Sequence, residues 1–350
     1  MHISRTALLL SALLWSSALS AQDSSELPGE HRVDLRSFDF PTDANPTIVA
    51  DVKVSIFFLS NEKLALFFEL RDSSARPVSH RFKLLTFSVT GEMIAERVFR
   101  GDGKFFDVKG GPDEDILLRE SEKLDFFDAK LRLVKTHQLP LRTVGIAFDR
   151  ALNQLVVITT DSGNQTARFL DPATFDELTA VLYPQRSIVI FGRKQLGYTL
   201  PGSCQGALHL APDEVGWRSL DSLQACDALA FVGDEALAYA STQDLYVVHK
   251  SGKQLFHDHI PAPDSFHLPN FVGLSDDHSR LAVMALMKRG MFITRHGTWP
   301  YYNEVYVYDL DAKKLIFKHE LVGGYAAALS SDGHKLATIE SGNLKINSIR

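Results

Sequence analysis

The chain predicts an all-β fold made from one short unit repeated around a ring. Three observations carry this reading. Short runs of β-branched and aromatic residues, ended by Gly, Asn, Asp or Pro, fill the sequence beyond its N-terminal stretch, and helical patterns are few. A recurring phrase appears seven times: an apolar strand, a polar turn, then Leu-Ala or Leu-Val near the start of a second apolar strand. The residues that open this second strand, Leu64, Ile116, Leu155, Leu196, Leu237, Leu281 and Leu336, recur about every 45 residues, within the period of four-stranded propeller blades. One four-stranded sheet cannot cover both its faces, whereas sheets packed radially can. The expected architecture is a seven-bladed β-propeller of four-stranded antiparallel blades.

The first segment reads as an address rather than as part of the fold. Arg5 gives a positive start, 7–15 is mostly apolar, and Ala18-Leu19-Ser20 supplies small residues ahead of a cleavage point. This is the pattern of a secretory signal peptide over 1–21, leaving 22–350 as one domain. A membrane anchor needs about 20 apolar residues, and the run here is shorter. No Cys follows it for lipid attachment. The mature protein is expected to be exported, periplasmic or extracellular, with no membrane insertion.

The copies follow in order. Those at 56–68, 144–158 and 229–239 are clear, those at 271–283 and 326–338 clearest, and those at 105–118 and 187–198 weaker. Third and fourth strands follow most copies, as at 304–310 and 313–317. The last copy ends at its third strand, 343–349, and an alternating segment, 32–38, precedes the first copy without a partner. The two are expected to pair and close the ring.

Composition bounds the function. The chain has 350 residues, with 37 Lys+Arg against 43 Asp+Glu and a net charge of −6. This balance excludes a general nucleic-acid binder, which needs a basic surface. Ordinary apolar and charged fractions exclude a disordered chain. There is no Gly-x-Ser-x-Gly elbow and no CxxCH haem attachment, and Gly110-Gly111-Pro112-Asp113 is a turn rather than a phosphate loop. No cofactor is implied.

Two stretches resemble a known family. Leu329-Ser330-Ser331-Asp332-Gly333-His334-Lys335-Leu336-Ala337, and Val305-Tyr306-Val307-Tyr308-Asp309-Leu310 ahead of Lys313-Lys314-Leu315, are similar to bacterial WD40-like and YVTN-type seven-bladed propellers. The likeness covers the last third of the chain, and no unit has both the Gly-His and the Trp-Asp pair of a true WD40 repeat. It implies a fold, not an activity. It also implies that loops between second and third strands share a face with the loops between blades.

Two of those loops are long inserts, 69–81 and 286–303. The second mixes Met287, Met291, Phe292, Trp299, Tyr301 and Tyr302 with Lys288, Arg289, Arg295 and His296, a composition suited to gripping a protein or a small ligand. The alternative is a loop whose aromatics fold back onto the propeller rim. His257, His259 and His267 fall between the fifth and sixth copies; they could serve a metal, although no fixed ligand spacing is met, and surface polarity is the plainer reading. Cys204 and Cys226 fall on neighbouring loops of that same face, so a disulfide is expected, with two separate buried thiols as the alternative.

The expected function is a non-catalytic exported propeller that binds an unidentified protein or small molecule through the insert-bearing face. The rival is a propeller enzyme of the lactonase or dehydrogenase-subunit type, with a site near the central channel and candidates such as Arg142 and Arg186. A subunit of an envelope complex is a third possibility.

Overall fold

The computed structural model describes residues 30–41, 54–70, 80–101, 106–185, 187–199, 209–211, 227–241, 243–260, 269–288, 301–321 and 324–350. Its elements are strands and short 3-10 turns. Blade 1 comprises β2 (Val54–Ser60), β3 (Lys63–Leu70), β4 (His80–Ser88) and β5 (Met93–Gly101). Blade 2 comprises β6 (Phe106–Gly110), β7 (Ile116–Glu120), β8 (Lys123–Phe127) and β9 (Leu133–Gln138). Blade 3 comprises β10 (Thr143–Asp149), β11 (Gln154–Asp161), β12 (Asn164–Leu170) and β13 (Glu177–Pro184). A three-stranded sheet follows, β14 (Ile188–Gly192), β15 (Gln195–Thr199) and β16 (His209–Ala211). Blade 4 has β17 (Asp227–Val232), β18 (Ala236–Ser241), β19 (Asp244–His249) and β20 (Gln254–His259). Blade 5 has β21 (Asn270–Leu274), β22 (Arg280–Lys288), β23 (Tyr301–Asp309) and β24 (Lys314–Leu321). Blade 6 has β25 (Gly324–Leu329), β26 (Lys335–Glu340) and β27 (Asn343–Ser348), with β1 (His31–Asp34) as its fourth strand.

Among the described residues the propeller has six four-stranded blades, not the seven that the period and the resemblance to YVTN-type propellers implied. The fourth copy supplies only the three-stranded sheet among the described residues. Its strands are short, Pro201 follows the second and Pro212 the third, and a proline cannot donate to a ladder.

The second strands show why nearly continuous apolar runs form strands here. Successive side chains of a strand point to opposite faces, and each blade has a neighbour on both. Leu64, Leu66 and Phe68 of β3 pack with Ala337, Ile339, Leu344 and Ile346 of blade 6. The intervening Ala65 and Phe67 pack with Val108, Ile116 and Leu118 of blade 2. In β22, Leu281, Val283 and Ala285 face blade 4, and Ala282 joins Leu329 and Leu336 of blade 6. The core therefore lies between the blades. Each Leu or Phe buried there stabilises the ring by about 1.5–3 kcal/mol. The outermost strands are wetter, with Met93, Val98, Leu133 and Val134 exposed.

Closure is as expected in partner, shorter in extent. β1 pairs antiparallel with β27, His31 opposite Ile346 and Asp34 opposite Asn343. The strand stops at Asp34, whose carboxylate accepts from Arg36 N at 3.0 Å and caps a 3-10 turn over Leu35–Phe38. That turn drops the fully buried Leu35 into the blade 6–blade 1 core.

The expected leader, 1–21, lies outside the described residues. No helix among the described residues is long and apolar enough to cross a membrane. The expected disulfide is also corrected: no disulfide is present among the described residues, and Cys204 and Cys226 both lie outside them.

Candidate ligand site at the channel mouth

First and second strands are joined by short turns on one face of the ring. Two of these turns share one internal lock. Ser275 Oγ donates to Asp277 Oδ1 at 2.6 Å, and Asp277 Oδ1 accepts from Ser279 N at 3.0 Å. In blade 6, Ser330 Oγ donates to Asp332 Oδ1 at 2.6 Å, and Asp332 Oδ1 accepts from His334 N at 2.9 Å. Short hydroxyl and carboxylate side chains bond nearby backbone in this way and fix turns. The Ser275 hydroxyl holds the Asp277 carboxyl below its ordinary range.

Within the lock one residue must take the left-handed conformation. In blade 6 it is Gly333, at φ +70°, and a Cβ there would lie 2.6 Å from Arg280 Cδ. In blade 5 it is His278, at φ +60°. A non-glycine residue pays roughly 1 kcal/mol for that conformation, and Asn153 and Lys194 adopt it in the matching turns of blade 3 and the three-stranded sheet.

Polar side chains at the head of the second strands tie neighbouring turns together. Lys63 Nζ meets Glu114 Oε2 at 2.5 Å. Gln154 donates to Gly192 O at 3.0 Å and accepts from Lys194 N at 3.0 Å. Arg280 donates to Gly333 O at 3.0 Å, and Lys335 Nζ to Asn61 O at 2.8 Å. At the same position blade 2 has Asp115 and blade 4 has Ala236.

Two hollows open on this side of the ring. The smaller, about 500 Å³, is lined by Pro112, Asp113, Asp115, Lys135, Asn153 and Pro172 among others. The larger, about 540 Å³, lies against the inner strands of blade 3, the three-stranded sheet, blade 4 and blade 5. Each of these four inner strands gives it a phenylalanine: Phe148, Phe191, Phe231 and Phe271. Gly192 lets the Phe231 ring approach, since a Cβ there would sit 2.9 Å from Phe231 Cδ2. Phe271 is 45% exposed, so its ring is available inside the channel. Phe271 and Lys109 also line a third hollow of about 270 Å³, and so lie between the two ends of the channel.

The rim of the larger hollow is polar: Asp149, Arg150, Asp276 and His278. Asp149 accepts from Leu152 N at 3.0 Å, yet burial pushes its carboxyl above the ordinary range. Asp276 is also raised, first by desolvation and then by the charges of Asp149 and Asp277, with Arg150 and His278 opposing. Neither carboxylate forms an ion pair among the described residues. Arg150 is common to both hollows and donates through Nη2 to Leu59 O of blade 1, so its guanidinium stands between them.

The residues singled out in the sequence lie elsewhere. Met291, Phe292, Arg295, His296 and Trp299 lie outside the described residues. Tyr301 is in β23, its backbone paired with Lys288. Tyr302 packs against the blade 4–blade 5 core with Met287, Tyr306 and Tyr308. His257 Nε2 and His259 Nδ1 both meet Asp244 Oδ1, at 3.1 and 3.0 Å. Burial pushes Asp244 up, but these histidine bonds outweigh it and hold the carboxyl below its ordinary range. His267 lies outside the described residues, and among those described no three His, Cys, Asp or Glu converge to hold a metal. Arg142 is exposed and pairs with Asp161 at 2.8 Å, and Arg186 lies outside the described residues.

Asp149, Arg150, Asp276 and His278 were missed in the sequence. One signal was present: Leu274-Ser275-Asp276-Asp277-His278 matches Leu329-Ser330-Ser331-Asp332-Gly333, with histidine where the other copy has glycine.

No protein-family model matches the chain, and no curated protein matches it. Among solved structures, Hsv2 of Kluyveromyces lactis is 12% identical, with 83% of this chain and 91% of that chain covered at a TM-score of 0.49. A Dos1 propeller is 13% identical, covering 84% and 91%, at 0.45. The Pan2 WD40 domain of Neurospora crassa is 9% identical, covering 91% and 95%, at 0.41. Likeness at this level says nothing about ligand or activity.

Proposed function

We propose that this protein is an exported, non-catalytic propeller that binds a small molecule in the hollow at the channel mouth. The observation that carries the reading is the convergence of four phenylalanines and a polar rim on one space of about 540 Å³. An apolar concavity with a few polar groups is the usual form of a small-molecule site. Binding rather than turnover is favoured because the hydroxyls of Ser275 and Ser330 are spent on Asp277 and Asp332, holding turns. The test is ligand-observed NMR with a panel of single-ring fragments. Wild-type protein should give saturation transfer, and Phe271→Ala should lose most of it. Equal transfer to both proteins, or none to wild type, removes the hollow from consideration.

A second reading keeps the insert-bearing face for a protein partner. It is favoured by the placement of both inserts: each joins the second and third strands of its blade, β3 to β4 and β22 to β23. Substitution of Trp299, Tyr301 and Tyr302 by Ala should then abolish capture of a defined partner while the melting curve is kept.

A further inference from the structure

The hollow's wall and rim together specify a ligand class, an inference that rests on the binding function just proposed. The wall is lined by aromatic and aliphatic residues: Phe148, Phe191, Phe231 and Phe271, with Leu229 and Ile190. Such a surface takes an apolar body. It also attracts a desolvated organic cation, because the face of an aromatic ring carries partial negative charge.

The rim carries two carboxylates, beside the guanidinium of Arg150 and the imidazole of His278. Asp149 and Asp276 come from the turns of blade 3 and blade 5, and each is left without an ion pair among the described residues. Arg150 and His278 stand close enough to act on Asp276, but neither forms an ion pair with it among the described residues, and the two longer cations have partners elsewhere. Arg150 is drawn to the Leu59 carbonyl, and Lys109 lies along the channel wall, 3.7 Å from Asp107. An anionic ligand would meet two carboxylates. A bare metal ion would lack a third ligating side chain among the described residues.

We propose that the hollow takes a monocationic organic amine, its ammonium between Asp149 and Asp276 and its apolar body on the four phenylalanine rings. The phenylalanines and the volume of the hollow are as necessary to this assignment as the carboxylates. An ammonium–carboxylate contact is about twice as strong as a neutral hydrogen bond, and here it would form beside apolar walls, where water competes less.

Calorimetric titration with three isosteric probes tests the class: 2-phenylethylammonium, 2-phenylethanol and phenylacetate. The amine should bind about tenfold or more tightly than the alcohol, and the acid most weakly. Asp276→Asn should reduce the amine's advantage, and the double variant Asp149→Asn, Asp276→Asn should abolish it while alcohol binding persists. Persistence of alcohol binding shows that the variants are folded. Equal affinity of amine and alcohol for wild type overturns the cationic class and leaves the binding function standing. Silence from all three probes overturns both.

Discussion

Arg32 Nε donates to Asn343 Oδ1 at 3.0 Å, joining side chains 311 positions apart in the chain. The bond lies beside the antiparallel register of β1 and β27. It fastens the start of the ring to its end. Ring closure is what turns separate sheets into one core, because each blade's faces are covered only by its neighbours.

Closure predicts an uneven response to mutation. Leu35 is fully buried in the core shared by blades 6 and 1. Leu35→Ala should cost about 2–5 kcal/mol in urea denaturation. Arg32→Ala should cost no more than about 1 kcal/mol, since its bond is partly exposed. Equal small losses in both would mean that the N-terminal segment is not part of the ring.

Gly333 and Arg280 give a second test. Gly333→Ala must hold a left-handed backbone and meet the Arg280 stem. A loss of about 1–3 kcal/mol is expected. Adding Arg280→Ala should recover only the steric share, which a double-mutant cycle measures as coupling. Strict additivity would show that the two blades' turns do not press on each other.

A third prediction concerns acid. Glu340 is buried, and burial alone would raise its pKa; bonds from His319 at 2.7 Å and Thr338 at 2.7 Å, with Lys345 at 3.1 Å, more than offset this and lower it. A carboxyl lowered in the folded state binds its proton less readily there than in the unfolded chain. Its stabilisation is therefore complete above the unfolded value of about 4.5 and is lost as pH falls through the lower folded value. Glu340→Gln should destabilise by about 1–3 kcal/mol at pH 7, and the gap in melting temperature from wild type should close as the pH is lowered toward 3. A gap that widens in acid would contradict the assignment.

Asp149 works in the opposite sense. Its carboxyl is raised by burial, so the ionised form opposes folding at neutral pH and the opposition fades as pH falls. Asp149→Asn should leave stability unchanged or raise it by up to about 1 kcal/mol at pH 7, with no gain below the ordinary carboxylate range. A marked loss at pH 7 would make Asp149 a structural residue rather than one kept for a ligand.

The sequence disclosed what is local and repeated. Leu281-Ala282-Val283 and Leu336-Ala337-Thr338 follow polar turns and alternate between two apolar faces, so strands and turns could be read directly. Closure was legible because 343–349 lacked an outer strand and 32–38 lacked a partner. The blade count was not, since Leu196 recurs on time while its sheet has only three described strands. The hollow could not be read from local pattern. Phe148 and Phe271 are 123 positions apart in sequence (271 − 148), and only the ring brings them to one space. The eye-catching aromatics of the insert signalled stickiness, but Tyr302 shows that part of that character serves the core.

The most direct test of the binding account is amide chemical-shift mapping during titration with 2-phenylethylammonium. The account predicts saturable shifts at 147–151, 189–191, 229–231 and 271–278, the backbone around the hollow. Shifts confined to the inserts 69–81 and 286–303 would contradict it and move binding to the opposite face of the ring.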